Sequence, residues 1–196
     1  MADAVDWYER NAASLAARYE DVAPESVHGW LLKLLPSNPG MILDVGAGTG
    51  RDAAWLSEKG HEVVAVEPSA AMRNVACNLH PCASIRWIED RLPSLQNLTR
   101  SGLAFDFILL SAVWMHVLNN DRARAFRKLV GLLKPGGVLA LTLRQGPAEK
   151  ERGVYPVSLD EIEGLARDHG LVVERVGDDE DQLGRGDVRW THVALR

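Results

Sequence analysis

Apolar residues recur along the chain in two rhythms, one helical and one of short continuous runs. In residues 3–20, Val5, Tyr8, Ala12, Leu15, Ala16 and Tyr19 return at three- and four-residue intervals among Asp6, Glu9, Arg10 and Arg18, which predicts an amphipathic helix laid on another surface. A second short helix over 26–35 stops at Pro36, and residues 36–40, Pro-Ser-Asn-Pro-Gly, read as a loop. The run Ile42, Leu43 and Val45 predicts a buried parallel strand. It ends in a loop with glycine at 46, 48 and 50, and helical spacing resumes at Arg51 and stops at Gly60.

The same alternation continues to the end of the chain. A second strand spans 61–67, and Ser69 caps a helix over 70–79. A third strand at 84–90 leads to a short helix and loop at 94–102, and 104–112 is the most continuously apolar strand and therefore central. Asn120 or Asp121 caps a helix continuing through Leu133, which Lys134-Pro-Gly-Gly137 breaks before a fifth strand at 138–143. Residues 145–157 form the longest loop. Ser158 and Glu161 make a capping box for a helix ending at Gly170. Strands at 171–176 and 188–195 follow, separated by acidic residues read as a solvated turn.

Strands alternating with helices imply an α/β fold, a doubly wound, mostly parallel seven-stranded sheet with helices on both faces. The last two strands have no helical pattern between them, so a hairpin makes the seventh antiparallel. The whole of 1–196 reads as a single domain, with 39–196 as its core and 1–38 as a helical addition beside or over the ligand crevice.

Composition narrows the function. A 196-residue chain that is 46% hydrophobic buries a core unaided. A net charge of −5 and a pI near 5.7 oppose binding to polyanions, so nucleic acid is a poor first partner. There is no run of about 18 apolar residues and no secretory leader pattern, which makes a cytoplasmic protein without membrane association the expectation. Cys77 and Cys82, with His80 between them, lack a fourth ligand of matching spacing; two reduced thiols and no metal are expected.

In an open α/β sheet the ligand lies beyond the carboxyl ends of the strands, where the winding reverses. The residues there are 44–50, Glu67, Asp90, Ser111 and Arg144. Three alternate glycines exceed what a turn needs and let backbone approach a ligand. Glu67, 17 residues beyond Gly50, suits both hydroxyls of a ribose, and Asp90 suits an exocyclic amine such as adenine's. The site wants a nucleoside. A dinucleotide needs Gly-x-Gly-x-x-Gly, whereas here the third glycine comes one residue early and position 51 is arginine, which weakens a nicotinamide-dependent oxidoreductase.

Asp44-x-Gly46-x-Gly48-x-Gly50, Glu67 and Asp90 at successive strand ends, and Leu-Lys-Pro-Gly-Gly137 before the fifth strand together resemble the class I S-adenosylmethionine-dependent methyltransferases, over about residues 40 to 145. Gly-Arg-Asp-Ala after the loop and Pro-Ser-x-x-Met72 after the acid are similar to the small bacterial enzymes acting on small molecules. The resemblance implies a Rossmann-like fold and S-adenosylmethionine as cofactor, with S-adenosylhomocysteine as product. It places Asp44, Gly46, Ala47, Gly48 and Gly50 at the methionine portion, Asp44 favouring the amino group. It places Glu67 at the ribose, Met72 against adenine, and Asp90, Arg91 and Leu92 at the adenine edge, with Pro68 also among the cofactor residues. Met72 reads equally as a core methionine. Arg51 is a candidate for the cofactor carboxylate, or a solvated helix residue.

The acceptor is expected near the fourth and fifth strand ends, where Ser111, Trp114, Met115, His116 and Arg144 lie, with Tyr8 and Tyr19 carried in by the N-terminal helix; Ser111 and Tyr19 are also counted with the cofactor residues. His116 has an ordinary pKa suited to proton abstraction and alternatively is structural. Trp114 is a wall for an aromatic acceptor or a plug beneath the N-terminal helix. Arg144 suits a substrate carboxylate or phosphate, or pairs with a nearby acid. The Asn/Asp-Pro-Pro-Tyr type signature of nucleic-acid amino methylation is replaced by Ser-Ala-Val-Trp-Met-His, which with the acidic charge argues against DNA adenine or cytosine amino methylation and leaves protein and tRNA acceptors open; the small-molecule acceptor that the resemblance implies is the leading expectation. A cofactor-binding regulatory module without turnover is the alternative, and both monomer and homodimer remain open.

Overall fold

The structure, a computed structural model, describes residues 4–81 and 83–196. The expectation for the Cys82 thiol lies outside them; Cys77 is free and exposed. Seven strands, β1 (Met41–Val45), β2 (Glu62–Val66), β3 (Ile85–Ile88), β4 (Phe105–Leu110), β5 (Leu133–Gln145), β6 (Val173–Glu180) and β7 (Arg189–Leu195), form one sheet in the order β3-β2-β1-β4-β5-β7-β6. All neighbours pair parallel except β7, which is antiparallel to both β5 and β6. The chain winds outward from β1 through β2 to β3, then returns to β4 on the other side of β1. The crevice between the carboxyl ends of β1 and β4 is therefore the switch point.

The inner strands are apolar on both faces because helices cover both. Leu43, Val45, Ile108 and Leu110 face Leu98, Phe126, Leu129 and Ile162, which belong to helices α5 (Gln96–Arg100), α6 (Asn119–Val130) and α7 (Leu159–Asp168). Their neighbours Ile42, Phe107 and Leu109 face Trp55 and Leu56 of α3 (Arg51–Glu58), together with Leu31. Burying each such side chain contributes about 1.5–3 kcal/mol, so the pleat alternation holds the helices to their respective faces. Among the described residues no helix is long and apolar enough to cross a membrane.

The N-terminal addition comprises α1 (Ala4–Glu20), α2 (Pro24–His28) and a 3-10 turn over Gly29–Lys33, where one helix over 26–35 was expected. Helix α1 packs Ala12 and Leu15 on Met72 of α4 (Ala70–Leu79). Ser69 caps α4 by accepting from the Met72 N–H at 3.1 Å. Four other expectations needed correction. Helix α6 begins at Asn119 with Leu118 at its N-cap, so neither Asn120 nor Asp121 caps it. Helix α6 stops at Val130, and Leu133 already pairs with Phe105, so Lys134-Pro-Gly-Gly137 bulges inside β5 before Val138 pairs with Phe107. The acids after 176 are not a turn: β6 runs to Glu180, which pairs with Arg189, and Asp178 accepts from the Thr191 hydroxyl at 2.7 Å. Ser158 caps α7, but the Glu161 carboxylate completes no capping box, reaching instead to Arg122 at 2.8 Å.

Candidate functional site

A half-enclosed cavity of about 300 Å³ lies over the carboxyl ends of β1, β2, β4 and β5, roofed by α1 and α2 and walled by the β6–β7 hairpin. Its floor is the glycine loop. Gly46 has φ +74°, and a Cβ there would lie 2.6 Å from Val113 Cγ2, so glycine is required for both conformation and space. Gly48, at φ +55°, would aim a Cβ into open space, which is the room a ligand needs at closest approach.

Carboxylates surround this floor. Glu67 is buried and already accepts from the N–H groups of Ser69 and Gly48, both at 2.9 Å. These bonds fix its carboxylate at the end of β2, while burial pushes its pKa up. Asp44 is 1% exposed, and its Oδ2 has no partner. Its pKa stands well above the usual carboxylate value, first through burial, then through repulsion by Asp52 and Glu67. Asp90 lines the cavity while accepting from the N–H groups of Arg91 and Leu98, each at 2.9 Å. Ala47, Pro68, Met72, Arg91 and Leu92 line the same end. Asp44 and Gly50 lie behind the lining.

The roof is fastened by polar contacts. Arg51 donates to the carbonyls of Tyr19 and Val22 at 3.0 and 3.3 Å and pairs with Asp52 at 2.8 Å, so its guanidinium ties the roof to α3. Glu9 accepts from Ser69 Oγ at 2.6 Å, and Thr49 donates to Glu20 at 2.6 Å. His28, fully buried, donates from Nε2 to Asp52 at 2.8 Å and lies 3.3 Å from Ser111 Oγ.

Beyond Ser111 the cavity meets His116, Tyr8, Tyr19 and Arg152. Their hydrogen bonds have a fixed sense, because a guanidinium only donates and a carbonyl only accepts. Arg152 donates to the hydroxyls of Tyr8 at 3.0 Å and Tyr19 at 3.2 Å. Tyr8 donates to His116 Nε2 at 3.2 Å, and His116 Nδ1 donates to the Gly153 carbonyl at 2.9 Å. His116 is thus neutral, its pKa pulled down to about 4 chiefly by burial. Burial likewise drives the Tyr8 phenol above its ordinary value, so it stays protonated.

Two expected acceptor-side residues are placed elsewhere. Trp114 is fully buried in the core with its ring edge on Phe126, outside the cavity and away from the N-terminal helix, because the turn over Trp114–His116 points it inward. Arg144 is also outside the lining; it donates to the Pro147 carbonyl at 2.7 Å and to Glu149 at 2.6 Å. Cavity residues that the sequence reading passed over are Asp52, Thr142, Arg152 and the stretch 179–185. Asp52 stands beside Arg51 in the motif, which was the available signal; Arg152 sits in an irregular loop and gave none.

A switch-point cavity with a glycine cradle, a fixed carboxylate at the second strand end and an acid at the third defines a Rossmann-like domain for a nucleoside cofactor. Residues 43–141 match the family model described as a methyltransferase domain. An uncharacterized methyltransferase of Mycobacterium tuberculosis is 32% identical over 192 residues, covering 96% of this chain and 69% of that protein. The chain belongs to the class I S-adenosylmethionine-dependent methyltransferases. The malonyl-[acyl-carrier protein] O-methyltransferase of Pectobacterium atrosepticum is 33% identical over 118 residues, 59% of this chain and 44% of that one. The fold matches that of the 1,6-didemethyltoxoflavin-N1-methyltransferase of Burkholderia thailandensis, solved with its named substrate and S-adenosylhomocysteine. The TM-score is 0.69 at 19% identity, over 100% of this chain and 91% of that chain.

Proposed function

We propose that this methyltransferase acts on a small-molecule acceptor held inside the cavity next to S-adenosylmethionine. The observation that carries this reading is the roof: α1 is fastened over the strand ends by Arg51, Glu9 and Glu20, and α2 by His28 to Asp52 and Glu25 to Trp55, so an acceptor must fit beneath them. The comparisons lend support of the same kind, since the toxoflavin enzyme's named substrate is a small molecule.

The residues present fit the cofactor. The unpartnered Asp44 carboxyl, just behind the lining, would give up its proton to pair with a cation such as an ammonium, and Gly48 leaves the space a bound chain would fill. In this reading the glycine loop and Asp44 hold the amino-acid portion. Glu67 takes the ribose hydroxyls, Met72 and Pro68 line the adenine, and Asp90 to Leu92 meet its edge. When bound, the cofactor supplies an electrophilic methyl group. What the chain adds is alignment and exclusion of water. Ser111, Val113, Met115 and His116 form the acceptor side. With its pKa near 4, His116 is a weak base, so its role is to hold Tyr8 and the acceptor in place rather than to take a proton.

Calorimetry with S-adenosylmethionine and S-adenosylhomocysteine, followed by transfer of labelled methyl groups into a small-metabolite fraction, tests the reading. Binding and a labelled small product are expected. Labelled protein or RNA instead would overturn the acceptor class, and binding without transfer to any acceptor would favour a regulatory module.

A further inference from the structure

Among the described residues Arg152 has no close acidic partner. Arg144 and Arg152, whose side chains are 2% and 14% exposed, share the carboxylate of Glu149, itself 37% exposed. Glu149 is committed to Arg144 at 2.6 Å, leaving Arg152 at 3.7 Å. Asp187 also acts on Arg144, so Arg152 is the one of the pair held without a carboxylate at hydrogen-bond distance. The other partners of Arg152 are neutral: the hydroxyls of Tyr8 and Tyr19, and the faces of Trp7 and Tyr8, whose centroids lie 5.1 and 5.6 Å from the guanidinium carbon. Its Nε–H is buried without an acceptor among the described residues. Arg152 nevertheless lines the cavity, unlike Arg144.

We infer that Arg152 is the seat of a ligand carboxylate in the methyl-transfer cavity. The inference rests on the methyltransferase reading above and narrows its ligand chemistry. A planar carboxylate matches the guanidinium fork, satisfies a donor that nothing else reaches, and gives Arg152 the close anion that Glu149, turned to Arg144, does not. Arg51 does not compete for this role, since its donors go to Asp52 and to the carbonyls of Tyr19 and Val22. The carboxylate has two possible sources, the amino-acid end of the cofactor and the acceptor itself. Both approach Arg152 from the cavity.

The test compares wild type with Arg152→Gln by calorimetry on two ligand pairs. The first is S-adenosylmethionine against its decarboxylated analogue; the second is benzoate against benzamide, titrated into the S-adenosylhomocysteine complex. A tenfold or greater loss confined to S-adenosylmethionine supports the seat and assigns it to the cofactor. A comparable loss confined to benzoate supports it and assigns it to the acceptor. Arg152→Lys, which keeps the charge without the fork, should recover part of the lost preference. Substitution also loosens two bonds to the roof, but that affects charged and uncharged ligands alike, so only the difference within a pair is read. Equal losses within both pairs, or no loss, overturn the inference. Wild-type protein that bound neither cofactor would overturn the reading of the cavity and the seat together.

Discussion

Replacing Asp44 by asparagine is expected to act in opposite directions on the fold and on ligand binding. Asp44 is 1% exposed, Oδ2 has no partner, and Asp52 and Glu67 repel its charge. Its folded pKa is therefore raised above 3.8, so at rising pH the folded chain keeps a proton that the unfolded chain has released. Stability falls as pH rises from 3.8 toward that folded pKa. The neutral amide would remove this dependence while preserving volume. The amide is as unpartnered as the carboxyl it replaces, so Asp44→Asn gains at pH 7 only the protonation cost, about 1.4 kcal/mol for each pH unit by which the folded pKa exceeds 3.8. In a domain of this size each kcal/mol raises Tm by about 2–4 °C. The gain should shrink toward pH 4. The ligand ammonium, in contrast, would lose a charged partner worth about 1.5–3 kcal/mol, which is roughly a ten- to hundredfold weaker Kd. Thermal melts at pH 4, 5.5 and 7 and calorimetry with S-adenosylhomocysteine measure the two effects. Calorimetry in two buffers of different ionisation enthalpy should also show proton release on binding to wild type and none with the variant. A lowered Tm at neutral pH, or an affinity within about threefold of wild type, would refute the reasoning.

Glu67→Ala should weaken S-adenosylhomocysteine about ten- to hundredfold by removing a charged acceptor and freeing the Gly48 amide it holds; unchanged calorimetry would mean the ribose lies elsewhere. Because His116 titrates near 4, the pH profile of kcat/KM should carry no step from it between pH 6 and 8. A step in that range that vanishes in His116→Ala would restore it as the base. Trp114→Ala should cost about 3–5 kcal/mol in chemical denaturation while leaving cofactor affinity intact below the transition, and a selective loss of affinity would bring the indole back to the site.

The elements and the cofactor side were legible because their constraints are local in the chain. The glycines at 46, 48 and 50 answer the positive φ of the turn they form, and the strand-end position of Glu67 follows from the length of one strand–helix unit. Periodicity was enough to find seven strands along the chain, and the lack of a helical pattern before the last was enough to turn it around. It failed where pairing overrides composition. Asp178, Asp179 and Glu180 look like a turn by charge, yet β7 supplies them with backbone partners, and Thr191 satisfies Asp178. Lys134-Pro-Gly-Gly137 looks like a break by residue type, yet β4 holds both flanks and the extra residues bulge out.

The acceptor side was harder to read, and for a different reason. Its chemistry depends on contacts between residues more than a hundred positions apart, Tyr8 with His116 and Arg152 with both tyrosines, and no spacing rule in one sequence connects them. Position at a strand end proved a poor guide to direction there. Arg144 and Trp114 stand where side chains can reach a ligand, but Arg144 turns to Glu149 and Trp114 drops into the core. Arg152, at the end of a 3-10 turn over Lys150–Arg152, lines the cavity where the strand-end arginine does not. Roof and acceptor wall thus share residues: Tyr8 belongs to α1 and also holds His116. In the proposed reading, undocking α1 would remove the cover from the cofactor and release His116 in one event, so acceptor contacts would be completed only when the cavity is closed to water.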